Sequence, residues 1–130
     1  MPVRYKTVAR IDPADKTKAP KYYAQLVPGQ DVDLEELAER ISKFSSYNYG
    51  TTLGFLGTLV EVLEMELKNG RAVRLGDLGT VYLTLSSNAK DHPEEMKDKD
   101  ITDAKVKLRP SSRFKKLHRQ LTYAKEPVKK

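Results

Sequence analysis

Asn69-Gly70-Arg71-Ala72-Val73-Arg74-Leu75-Gly76-Asp77-Leu78-Gly79-Thr80-Val81-Tyr82-Leu83 decides the fold of this 130-residue chain. It joins the end of the strongest helical pattern to a β-ribbon, with a glycine at each change of direction. Gly70 follows Lys68 and Asn69 at the end of an apolar repeat, where a left-handed residue lets the last helical carbonyls find donors. Arg71 to Leu75 then alternates, with Val73 and Leu75 on one side and Ala72 and Arg74 on the other. Gly76-Asp77-Leu78-Gly79 turns the chain into a second strand over Thr80 to Ser86. The expected order is helix stop, short strand, tight turn, longer strand.

Upstream, Leu53, Leu56, Val60, Leu63 and Leu67 recur at spacings of three and four, and Phe55, Leu59 and Val62 widen the seam. Asn48 stands where this helix needs a cap, after the break Ser45-Ser46-Tyr47. Before the break, Leu34, Leu37, Ala38, Ile41 and Phe44 mark a shorter amphipathic helix with Asp31 or Asp33 as its cap. Asp33, Glu35 and Glu36 lie at the end of its dipole that favours negative charge. The short helix cannot cover so broad an apolar surface, so a second copy of the chain is expected to. Phe44, Leu53, Phe55, Leu56, Leu59, Val60 and Leu63 are the expected dimer interface. Gly54 and Gly57 each weaken the long helix by about 1 kcal/mol relative to alanine, which close helix approach would offset.

Downstream, Val81, Leu83 and Leu85 alternate with Tyr82, Thr84 and Ser86. The pattern dissolves from Ser87 to Asp100, a polar segment of mixed charge, and resumes over Asp103 to Arg109. There Ala104, Val106 and Leu108 point one way and Lys105, Lys107 and Arg109 the other. Cations on one side of a strand recur at about 7 Å, the scale of phosphate spacing along one DNA strand. Arg109-Pro110-Ser111-Ser112 is expected to open a closing helix with Phe114, Leu117 and Leu121 as its buried stripe. Arg113, Lys115, Lys116 and Arg119 occupy its remaining positions.

At the beginning of the chain, Val3, Tyr5, Thr7, Ala9 and Ile11 alternate with Arg4, Lys6, Val8 and Arg10. A loop from Asp12 to Pro20 and a second strand over Lys21 to Val27 complete an expected hairpin. Its first reading is structural, with alternation separating core from solvent. Arg4, Lys6 and Arg10 also make it a candidate extension of a nucleic-acid surface. Glu126-Pro127-Val128-Lys129-Lys130 reads as a basic tail.

The net charge of +6 is segregated: residues 1–30 carry six basic and two acidic side chains, whereas residues 31–69 carry three basic and eight acidic. From Val106 onward nine basic residues face the single Glu126. Clustered cations attract polyanions. Without cysteine, disulfides and thiolate metal sites are excluded, which suits a reducing cytoplasm. No apolar run approaches membrane-spanning length, and the start has no apolar leader, so the expectation is a soluble cytoplasmic protein without a membrane partner. His92 and His118 stand apart, no carboxylate pair is joined by a histidine, and the Gly76 to Gly79 turn lacks the lysine of a P-loop. An enzyme, a metal site, a cofactor and a small-molecule substrate are therefore not expected.

The central turn resembles the signature of the HU/IHF family of bacterial histone-like DNA-binding proteins, Gly-Phe-Gly-Ser/Thr-Phe. Gly79 and Thr80 match, while Leu78 and Val81 replace the phenylalanines and Asp77 stands at the first glycine, with Gly76 one place earlier. Arg109-Pro110 is similar to the start of the family's C-terminal Lys/Arg-Pro-Gly-Lys, with Ser111 and Ser112 in place of glycine and lysine. The resemblance covers about Asp33 to Ala124.

It implies an α+β fold: a body of two helices, a three-stranded antiparallel β-ribbon with a protruding arm, a short C-terminal helix and an intertwined dimer, here with an extra N-terminal β-hairpin. Residues 1–30 would be that hairpin extension, 31–124 the HU-like DNA-binding domain with its arm at 86–103, and 125–130 a basic tail. The implied activity is architectural: binding double-stranded DNA as a homodimer, with little sequence specificity, bending it and organising the nucleoid. Arg71, Arg74, Lys105, Lys107, Arg109, Arg113, Lys115, Lys116 and Arg119 are the residues expected to meet phosphates. Pro93 falls near the position of the family's intercalating wedge. Asp91, Glu94 and Glu95 surround it, which favours an acidic loop over a wedge. A protein-interaction module of the same fold and an RNA-binding protein are the alternatives.

Overall fold

The computed structural model describes residues 2–127. Its two long helices begin and end where local chemistry demands. Helix α1 (Leu34–Phe44) is capped by Asp33, whose carboxylate accepts the Glu36 N–H at 2.9 Å. Helix α2 (Tyr49–Lys68) is capped by Asn48, whose side chain accepts the Thr51 N–H at 2.7 Å. Such caps each stabilise a helix by about 1 kcal/mol. At the other end of α2, Gly70 has φ +75°; its N–H reaches the Leu67 carbonyl at 2.9 Å and the Arg71 N–H reaches Glu66 at 3.1 Å. This is a Schellman stop, and it satisfies carbonyls that the helix leaves unpaired.

The chain then forms β3 (Val73–Arg74), a single 3-10 turn over Gly76–Leu78, and β4 (Gly79–Ser87). Strand β5 (Ile101–Pro110) pairs antiparallel with β4, giving a three-stranded sheet of order β3-β4-β5. Gly79 is buried with φ +139°, and a Cβ there would lie 2.3 Å from the Arg109 carbonyl oxygen. The signature glycine is thus required because β4 starts in contact with the β5 backbone.

Two compact units emerge. One comprises Val32–Lys116; the other unites the described residues up to Asp31 with those from Leu117 onward. The first of these holds α1, α2, the β3-β4-β5 sheet and the short helix α3 (Ser112–Lys115). The second is a sheet of order β2-β1-β6, with β1 (Val3–Arg10) and β2 (Lys21–Leu26) antiparallel and β6 (Tyr123–Lys125) parallel to β1.

The core is slight. Ala38 on α1 is the only apolar side chain fully buried among the described residues, and Thr52 on α2 joins it. An apolar cavity of about 350 Å³ opens between Ile41, Tyr47, Thr51, Thr52, Phe55 and Leu56.

Three stretches differ from the sequence reading. The closing helix expected to run through Leu121 is a single turn, followed by a 3-10 segment at Leu117–Gln120 and then β6. Phe114 and Leu117 are exposed rather than a buried stripe. The physical reason is a competing edge: Val3 N–H donates to Thr122 O at 2.7 Å and Glu126 N–H to Tyr5 O at 2.8 Å, so β1 captures the chain as a strand. For the same reason Lys125 and Glu126 are held rather than tail-like, and Glu126 pairs with Arg4. Residues 128–130 lie outside the described part.

The third difference is the segment between β4 and β5. It folds as 3-10 turns at Pro93–Glu95 and Asp98–Asp100, and β5 begins at Ile101, earlier than the alternation suggested. Asp100 is buried; it accepts the Lys97 N–H at 2.9 Å, pairs with Lys90 at 3.4 Å, and its carbonyl accepts the Asn88 N–H. One buried carboxylate organises the polar stretch.

Candidate nucleic-acid interface

Opposed residues of an antiparallel pair point to the same face of the sheet. Arg109 stands across from Thr80, Lys107 from Tyr82 and Lys105 from Thr84, while Arg74 on β3 stands on the other side of Thr80. One face therefore carries Arg74, Arg109, Lys107 and Lys105 around a central row of Thr80, Tyr82 and Thr84. The opposite face presents Val73, Val81, Leu83, Val106 and Leu108. Val81, Leu83 and Val106 border an apolar groove of about 500 Å³ with Val60, Leu63 and Leu67 of α2. The alternation of β4 and β5 thus separates an apolar side turned to the helix from a cationic side turned to solvent.

All of β5 is exposed. Among the described residues no carboxylate pairs with Arg74, Lys105, Lys107 or Arg109. The Arg109 guanidinium lies over the Tyr82 ring, 4.9 Å from its centre. At an exposed site such a contact is worth about 0.5–1 kcal/mol, and it restrains the arginine before any ligand arrives. The positive face ends at Asp103, opposite Ser86.

The other expected cations are distributed differently. Arg71, beyond the α2 stop, is paired with Glu66 at 3.3 Å. Arg113 on α3 approaches Asp77 at 3.6 Å, and Lys115 and Lys116 follow at the end of that helix. Helix α3 is stitched to the central turn: Ser111 Oγ donates to the Asp77 carbonyl and accepts the Phe114 N–H at 3.3 Å. Ser111 and Asp77, 34 residues apart, thereby connect the two motifs that carry the family resemblance. Arg119 belongs to the other unit, within Leu117–Gln120.

Thr80, Tyr82 and Thr84 are additions to the contacts that the sequence leads one to expect. Alternation in β4 set them on the side away from Val81, but only the register with β5 places each beside a particular cation. Their hydroxyls add neutral donors to a charged face, the mixture used to position DNA backbone.

Pro93 opens the first 3-10 turn of the β4–β5 connection, with Glu94 and Glu95 in the same turn. Of the expected interface residues, Phe44, Phe55 and Val60 are exposed at 90%, 66% and 58%. Leu53, Leu56, Leu59 and Leu63 are half-buried within the chain itself. Val62, Met65, Val106 and Leu108 are exposed as well, so the apolar surface extends beyond the expected set.

Among the described residues no group of three histidines or carboxylates is arranged to hold a metal, and no helix is long and apolar enough to cross a membrane.

A family model described as "HU domain fused to wHTH, Ig, or Glycine-rich motif" matches residues 1–125. No curated protein is similar enough to match. Among solved structures, the chain is similar to one from Bacteroides vulgatus ATCC 8482 named "Putative bacterial DNA binding protein". The TM-score is 0.68 at 18% sequence identity, over 98% of this chain and 50% of the other, so this chain spans half the length of that protein. At that identity the likeness concerns the fold.

Proposed function

The chain belongs to the family of HU domains fused to wHTH, Ig, or glycine-rich motifs, and from that premise we propose that it binds double-stranded DNA as a homodimer, mainly through phosphates. The observation that carries this reading is the one-sided cationic sheet: Arg74, Lys105, Lys107 and Arg109 share a face with three hydroxyl side chains and have no carboxylate partner among the described residues. Arg113, which approaches Asp77, Lys115 at the end of α3 and its cap residue Lys116 are further cations of the same unit. Phosphate contacts carry affinity without reading bases, so little sequence preference is expected.

The dimer supplies what a single chain lacks. With one fully buried apolar side chain among the described residues, and with Phe44, Phe55, Val60 and Met65 in solvent, the single chain has an unfinished core. Apolar burial stabilises by roughly 25 cal/mol per Å², and an aromatic ring buries 150–250 Å² by general estimate, so two phenylalanines per chain offer several kcal/mol to association. Two copies of the cationic face then present a twofold surface to one duplex.

Architectural bending and nucleoid organisation are the cellular role this reading implies. Glu94 and Glu95 follow Pro93 directly and would meet phosphates of like charge, so bending relies on the body of the dimer more than on an intercalated proline. The acidic connection also favours a second reading, a protein-interaction module that no longer binds DNA. One measurement separates the two: affinity for a short duplex over a series of salt concentrations. With about five phosphates neutralised, log K should fall against log salt with a slope on the order of −4 to −5. A salt-insensitive affinity, or none, overturns the DNA-binding reading.

A further inference from the structure

The sheet β2-β1-β6 is two-sided in its own right. Register puts Lys6, Val8 and Arg10 of β1 on one face with Gln25, Tyr23 and Lys21 of β2, and places Tyr5, Thr7 and Ala9 on the other with Leu26, Ala24 and Tyr22. The first face is cationic and the second apolar and aromatic. Arg10 lies directly across from Lys21. Like charges directly opposed on a sheet are unfavourable, and no carboxylate pairs with Lys6, Arg10, Lys18 or Lys21 among the described residues. The nearby acids Asp12 and Asp15 bond to their own loop rather than to these cations. Asp12 accepts the Ala14 N–H at 2.9 Å, and Asp15 accepts the Thr17 hydroxyl and the Thr17 N–H at 3.0 Å, bonds that hold the Asp15 carboxyl below its ordinary range, the hydroxyl most.

Arg10, Lys18, Lys21 and Tyr23 border a cleft of about 420 Å³ at the end of the hairpin, with Asp12 as its one carboxylate. An unbalanced cation pair beside an open cleft has the chemistry to receive an anion. The Arg10 guanidinium lies 5.3 Å from the centre of the Tyr23 ring, so that ring is covered by a cation. A covered ring is a poor platform for an unstacked base, which favours backbone phosphates of a duplex over a single strand.

We propose that the Lys6, Arg10 and Lys21 face of the N-terminal sheet is a second phosphate-binding surface for double-stranded DNA, separate from the β4–β5 face. The inference rests on the DNA-binding reading above and adds a distinct set of contacts to it. Each cation that neutralises a phosphate contributes about −0.9 to the salt slope.

The test uses the full chain, a duplex of about one to two helical turns and a single-stranded RNA of equal length, with affinities followed by fluorescence anisotropy over 50–200 mM salt. The K6Q/R10Q/K21Q variant should lose about 2 to 3 from the magnitude of the duplex slope and weaken binding at least tenfold at fixed salt. R10Q alone should lose about 1, which keeps the test informative should the triple variant fold poorly. A duplex slope unchanged in both variants, while K105Q/K107Q/R109Q flattens it, overturns this surface and leaves the DNA-binding reading intact. A loss confined to RNA also overturns it. A wild-type chain that binds no duplex overturns both.

Discussion

Replacing Gly79 by alanine perturbs the chain at the point where its two signature segments touch. The new Cβ would sit 2.3 Å from Arg109 O and 3.2 Å from Pro110 Cα, whereas ordinary contact begins near 3.4 Å. Backbone on both sides must therefore move by about 1 Å. No rotamer can relieve the clash, because a Cβ position is set by φ and ψ alone. The residue is also held at φ +139°, where an L side chain is strained. Strain at such a position costs about 1–3 kcal/mol, and forced overpacking about 1–3 more. We expect a loss of about 3 kcal/mol, which for a chain of this size lowers Tm by about 9–15 °C. Thermal unfolding followed by circular dichroism, at one fixed protein concentration because association shifts Tm, measures it. Gly29, with no neighbour within 4 Å and no positive φ, is the control and should tolerate alanine. A Gly79→Ala chain melting within about 2 °C of wild type would refute the argument that close approach of β4 to β5 requires this glycine.

Further outcomes test the site and the dimer. K105Q/K107Q/R109Q should reduce the magnitude of the duplex salt slope by about 2 to 3 while lowering Tm by no more than about 5 °C, the cost of losing the Arg109–Tyr82 contact, as read by anisotropy and circular dichroism. Phe55→Ala should shift the chain toward monomer in sedimentation equilibrium, at a cost of about 3–5 kcal/mol if the ring is buried by the partner; unchanged association would place the interface elsewhere. Gly57 meets nothing within 4 Å in one chain, so alanine there should stabilise an isolated helix by about 1 kcal/mol. Leucine at the same position should instead weaken the dimer if a partner helix approaches there. Pro93→Ala should bend a short duplex as wild type does, measured by energy transfer between end labels; a clearly smaller bend would identify Pro93 as a wedge after all.

Much of this fold is legible in the amino-acid order because its causes are local. The caps at Asp33 and Asn48, the stop at Gly70 and the 3-10 turn over Gly76–Leu78 depend on residues within a few positions of one another. Alternation likewise separates Lys105, Lys107 and Arg109 from Val106 and Leu108 without reference to any partner strand. The excess apolar surface of α2 shows in its sequence as a seam too wide for α1 to cover. Each of these is a statement about one segment and its immediate neighbours.

What tertiary structure alone decided involves pairs far apart in the chain. Tyr123–Lys125 carries no periodic signal that forces a strand; it becomes one because the edge of β1 offers unpaired backbone groups. Ser111 finds the Asp77 carbonyl, and Asp100 finds Lys90, through folding that no spacing rule anticipates. The register of β4 against β5 sets Arg109 over Tyr82 and each lysine beside a given hydroxyl residue. Side-chain patterns specify which face a residue takes, whereas the partner across that face is selected by backbone pairing and packing summed over the whole sheet.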